Sequence, residues 1–87
     1  MINTDLIQPN MPIFCSLGGQ FATVDHMEGA ESIKVKKDRF GQHHYIPLSW
    51  VISTKNREVT IGRTGNQAMR EWSTTSPLSY ANNFRKY

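Results

Sequence analysis

Ile33-Lys34-Val35-Lys36-Lys37-Asp38-Arg39-Phe40-Gly41-Gln42-His43-His44-Tyr45-Ile46-Pro47 is the stretch on which the fold turns. Its first four residues alternate apolar and charged. Successive side chains on a strand point to opposite faces, so Ile33 and Val35 face an interior while Lys34 and Lys36 face water. A polar loop follows over 37–42. His43-His44-Tyr45-Ile46 reads as the next strand, ended by Pro47, which has no N–H to give a ladder. Outward from there the signal recurs. Upstream, Phe21, Ala22, Thr23 and Val24 give a strand over 20–26, and Ile13-Phe14-Cys15-Ser16 gives another. Gly18-Gly19 between them marks a tight turn. Pro9 and Pro12 bar a helix in the approach. Downstream, Leu48-Ser49-Trp50 turns before Val51-Ile52 resumes an extended path. Asn56-Arg57 makes a hairpin tip, and Val59 and Ile61 alternate inward. Five or six short strands joined by polar turns predict a mostly β chain, a small antiparallel β-barrel.

The period changes at Thr64-Gly65-Asn66-Gln67, which has the spacing of a capping box. Ala68, Met69 and Trp72 follow at helical spacing, which predicts one short C-terminal helix at about 65–72. Two turns do not stand alone in water, so Trp72 is expected to dock on the barrel and close an open end. The predicted core is Ile13, Val24, Ile33, Val35, Ile46, Val51, Val59 and Ile61, with Trp50 and Trp72 at its ends. Residues 1–72 are thus one domain. Ser73-Thr74-Thr75-Ser76-Pro77 reads as a linker, and 73–87, with scattered Tyr80, Phe84 and Tyr87, as a flexible tail.

The 87 residues allow one core. Ten basic and seven acidic side chains give a net charge of +3, but the excess sits in one loop and one tail, since 1–72 hold eight basic and seven acidic groups. A single cysteine excludes an internal disulfide framework and a multi-cysteine zinc site. No run approaches the roughly 18 apolar residues of a membrane span. Met1-Ile2-Asn3-Thr4-Asp5 carries an acid and no basic side chain, which predicts no secretory leader and a cytoplasmic location.

Gly41-Gln42-His43-His44-Tyr45-Ile46-Pro47-Leu48-Ser49-Trp50-Val51, with Thr23-Val24-Asp25-His26-Met27-Glu28-Gly29, Ile33-Lys34-Val35, and Ala68 and Trp72 near the end, resembles the short bacterial proteins grouped as Domain of Unknown Function 2171. The resemblance covers roughly 7–72. It departs at Ala22, where a glycine is expected, and in the longer tail. That family in turn is similar to the PRC-barrel group, which includes a domain of the photosynthetic reaction-centre H subunit and the barrel of a ribosome maturation factor. The resemblance implies a small barrel that binds other macromolecules and is not an enzyme. It carries over no catalytic or binding residue.

Each chemistry-bearing group has a functional and a structural reading. His26, His43 and His44 are metal-ligand types, but His43 and His44 point to opposite faces, and His26 reaches either only if the second and fourth strands pair. Cys15 with a histidine is the only nucleophilic pair, and Cys15 in an apolar strand reads as a small buried hydrophobe. The acids are scattered, and no phosphate loop or dinucleotide glycine pattern is present. No catalytic group, metal or cofactor is therefore assigned. Tyr45 and Trp50, with His43 and His44, are the candidate interaction surface; the other reading of Trp50 is a plug in the barrel floor. Lys34, Lys36, Lys37 and Arg39 are the candidate nucleic-acid contacts, with Phe40 placed to stack; the other reading is a solvated edge guarding against aggregation. The expectation is a non-catalytic interaction module that binds a protein partner or a second copy of itself. The alternative is a nucleic-acid-binding accessory domain using 34–39. No membrane or small-molecule substrate is indicated.

Overall fold

A computed structural model describes residues 3–76. After a 3-10 turn at Thr4–Leu6 come β1 (Pro12–Phe14), β2 (Gln20–Met27), β3 (Ser32–Val35) and β4 (His44–Pro47). A second 3-10 turn, Leu48–Trp50, leads into β5 (Val51–Ser53). A third, Lys55–Arg57, leads into β6 (Val59–Ile61), and one helix, α1 (Gly65–Glu71), follows. Residues 77–87 of the expected tail lie outside the described residues, Tyr80, Phe84 and Tyr87 among them.

The expectation of a mostly β chain with one short C-terminal helix holds; that of an antiparallel barrel does not. The six strands form one sheet in the order β4-β3-β2-β1-β6-β5. Four of the pairings are antiparallel, but β1 and β6 are parallel, with Ile13 opposite Val59. The sheet is therefore mixed. It is also rolled. Strands lie about 4.8 Å apart, so a flat sheet would hold β4 and β5 about 24 Å apart. Only Leu48–Trp50 joins them, and four Cα steps of about 3.8 Å reach at most about 15 Å. The sheet must curl until its two outer strands approach at that turn. Following the pairings round, β4 and β5 run in the same direction, and parallel neighbours need a crossover of a dozen residues or more. With three residues between them they are not laddered together, and the roll stays open.

β2 makes the curl. Its first half pairs with β1 and its second with β3. Between them Val24 faces Val35 and His26 faces Lys34, leaving Asp25 as the extra residue of a bulge. The interior holds all eight core residues expected from the alternation, joined by Ile7, Met11 and Ala68. The β1–β2 turn uses Gly18 at φ +93°, where a side chain would be strained. The capping box forms in full: Thr64 Oγ1 accepts from the Gln67 N–H at 3.1 Å, and Gln67 Oε1 accepts from the Thr64 N–H at 3.1 Å. Trp72, at the end of α1, packs on the sheet. Its ring stacks on His44, with centroids 3.9 Å apart and planes 15° apart, and tilts against Phe21 at 5.9 Å.

Candidate functional site

The three histidines do not form one cluster, but two of them share an acid: Asp25 Oδ1 lies 3.0 Å from His26 Nδ1 and its Oδ2 lies 3.7 Å from His43 Nδ1. β3 lies between β2 and β4, so these strands do not pair, and His26 and His43 approach each other only through Asp25. His44 lies opposite Val35 and two residues before Ile46, on the interior face of β4. There its Nε2 donates to Asp38 Oδ2 at 2.8 Å while its ring supports Trp72. His43 Nδ1 donates to the Val35 carbonyl at 2.8 Å. His26 sits outside, its Nδ1 3.0 Å from Asp25 Oδ1 and its Nε2 3.5 Å from Glu28 Oε1. Neighbours on a regular strand would point apart; the bulge at Asp25 brings this carboxylate and His26 together. The hydrogen bond from His26 holds the Asp25 carboxyl below its ordinary value. Among the described residues no three of His, Cys, Asp and Glu form a group fit for a metal ion.

Cys15 is buried at the β1–β2 turn. Backbone N–H groups, those of Leu17 and Gly19 foremost, hold its thiol below the ordinary value. The turn lies at the Gln20 end of β2, whereas His26 is six residues along that strand, about 20 Å at 3.3 Å per residue. The Cys15 thiol and the His26 imidazole therefore do not meet.

The four side chains expected on an interaction surface are mostly withdrawn from it. Tyr45 and His44 are buried. The outer edge of β4 is covered by Ser73, whose N–H and C=O both bond to Tyr45, and His44 belongs to the interior. His43 is half-buried and tied to β3. Trp50 is half-buried against the core, and the Arg63 guanidinium lies 4.5 Å from its ring centre. Trp50 is thus neither a free anchor nor a wholly enclosed plug.

Two surfaces remain. One is a groove of about 1290 Å³ at the rolled edge, lined by Pro47, Leu48, Val51 and Ile52 with Asn3, Thr4 and Glu31. Val51 faces Ile61 and Ser53 faces Thr60, so Ile52 is the extra residue of another bulge, and it stands 63% exposed. Gly62 makes room for it, since a Cβ there would come within 3.3 Å of Ile52 Cγ2. In the sequence Ile52 is only part of an extended path; a bulge depends on the partner strand, and no local signal marks it. The other surface is the β3–β4 loop. Asp38 organises it: Oδ1 accepts from the N–H groups of Phe40 at 2.8 Å and Gln42 at 3.0 Å. The bond from His44, helped by the one from Gln42, lowers its carboxyl to about 2. Lys36, Lys37, Arg39 and Phe40 are exposed around it. Lys34, expected among them, is half-buried, and its charge acts on Asp25.

Fold and surfaces together define a small, mostly β module whose histidines and acids are largely engaged in holding its own sheet. A family model described as an uncharacterized protein conserved in bacteria (DUF2171) matches residues 7–69, and the chain belongs to that family. No curated protein and no solved structure matches it.

Proposed function

We propose that the protein is a non-catalytic interaction module that docks protein through the groove beside β5, with a second copy of this chain as the occupant. The observation that carries the reading is Ile52. A free sheet edge is ordinarily guarded by charge, proline, a bulge or shortness of the strand. This one is short and bulged, which blocks strand addition, and its bulge turns an isoleucine outward next to Pro47, Leu48 and Val51. A three-residue strand offers little ladder to add to, so side-chain insertion is the favoured mode of contact. The same reading takes the rolled sheet as an open relative of the PRC barrels, because its two outer strands are joined by one short turn. It also places the protein in the bacterial cytoplasm, where a free Cys15 thiol is at home.

The test is the mass in solution. Light scattering on the eluted protein at rising concentration is expected to move from 10.0 kDa toward twice that value, and Ile52→Asp to hold it at the lower one with its circular dichroism unchanged. A wild-type protein that stays at the lower mass, with backbone amide shifts around Ile52 independent of concentration, refutes the reading.

A further inference from the structure

We infer that the β3–β4 hairpin tip is a binding site for single-stranded nucleic acid, with Phe40 as the stacking platform and Lys36, Lys37 and Arg39 as the phosphate contacts. This site is separate from the groove and stands or falls without it.

The argument begins with the loop's own acid. Asp38 is the only carboxylate between Glu31 and Glu58, and its side chain is half-buried. Both its oxygens are occupied, by two backbone N–H groups and by His44. Its backbone closes the turn as well: the Asp38 N–H donates to the Gln42 carbonyl, and the Gly41 N–H to the Asp38 carbonyl. Asp38 keeps its charge, but both its oxygens are held by the loop's own donors, and three cations and a phenyl ring stand exposed around it. Phe40 is 83% exposed, with the Arg39 guanidinium 5.3 Å from its ring centre. A loose loop would let such a ring collapse onto the nearest apolar surface. Here both backbone bonds to Asp38 hold it out, and a loop already ordered loses less freedom on binding.

The partner must offer a flat face to the ring and negative charge to the cations at a spacing of one residue. Unpaired nucleotides offer both, because base faces stack on aromatics and every nucleotide carries a phosphate. In a duplex those faces are buried against each other, so the duplex is the poorer ligand. An anionic bilayer would also attract the lysines, but it asks for several apolar side chains at the tip, and Gly41 and Gln42 beside Phe40 supply none.

The experiment uses the whole chain and a labelled twelve-nucleotide oligothymidylate, read by fluorescence anisotropy. Binding is expected at a Kd of roughly 10⁻⁴ to 10⁻⁵ M. Three phosphate contacts give a slope of log K on log salt of about −2, a loss of about 20-fold between 50 and 200 mM. Phe40→Ala should weaken binding by about 5- to 100-fold and leave the slope unchanged. Lys36→Glu with Lys37→Glu should abolish it. Amide shifts of Phe40 and Gly41 should move with the oligonucleotide in the wild type, which locates the contact without any variant. The inference is overturned by no binding at 20 mM salt, by equal affinity for a duplex of the same length, or by a Phe40→Ala variant that binds as well as the wild type. Capture by phosphatidylglycerol vesicles in place of the oligonucleotide overturns it too.

Discussion

Trp72→Ala tests how the helix is held. The seven residues of α1 form too short a helix to persist in water, so its contacts with the sheet decide whether it exists. Those contacts are Ala68, fully buried, and Trp72, whose ring lies on His44 and against Phe21. Truncating a wholly buried tryptophan costs about 3 to 5 kcal/mol. Trp72 is half-buried, which halves that figure, and each aromatic contact adds about 0.5 to 1.5 kcal/mol. The expected loss is about 3 kcal/mol, more than half of what a domain of this size has. Urea unfolding followed by far-ultraviolet circular dichroism measures it, and the melting temperature should fall by about 12 to 24 °C. His44→Ala removes the same stack from the other side. In the double variant the two losses should fall short of their sum by about 0.5 to 1.5 kcal/mol. A Trp72→Ala loss below about 1 kcal/mol, or strict additivity with His44→Ala, would refute the claim that this stack holds the helix on the sheet.

Asp38 predicts an acid-sensitive loop. Its carboxyl titrates at about 2 in the folded chain against an ordinary 3.8, so the unfolded chain binds its proton first on acidification. The stability that Asp38 contributes is complete above the ordinary value and is lost as the pH falls toward about 2. Urea midpoints between pH 5 and pH 2 should drop for the wild type, and this part of the drop should vanish in Asp38→Asn; identical profiles would contradict the assignment. Thr64→Ala removes the cap and should cost about 1 kcal/mol in the same assay, whereas Thr64→Ser keeps the oxygen and most of the stability.

Much of the interior was legible because it depends on local alternation. Ile33 and Val35, or Val59 and Ile61, are buried by a pattern that two strands carry in themselves, and the box at Thr64 and Gln67 needs only its own four residues. The parallel partnership of β1 with β6 was not legible, because nothing in Ile13 or Val59 specifies which distant strand it will meet. The bulges at Asp25 and Ile52 share this character: these become extra residues only against Lys34 and Thr60. Tyr45 and His44 count among the candidate interaction residues because aromatic side chains often anchor interfaces, yet both are buried. A strand reading His-His-Tyr-Ile has no charged position, and that continuity is the mark of a strand covered on both faces. The cover for Tyr45 comes from Ser73, 28 positions further on. Ile7 and Met11 lie in a stretch without periodicity, and they reach the core through tertiary packing alone.

The roll of the sheet is what keeps the two proposed surfaces apart. β4 runs from the hairpin tip at one end to the turn Leu48–Trp50 at the other. Phe40 with its cations lies before the first residue of β4, and the groove of Pro47, Leu48 and Ile52 begins at its last. Ile46, at no exposure, and the buried His44 lie between them. Neither surface shares a side chain with the other, so a substitution at one has no packed route by which to change the other short of unfolding the strand. Ile52→Asp should therefore bind the oligonucleotide as the wild type does, and Phe40→Ala should dimerise as the wild type does. The exception is His44, which fixes the loop through Asp38 and also supports Trp72 from the interior face. Replacing it alone should loosen the tip and the C-terminal helix together.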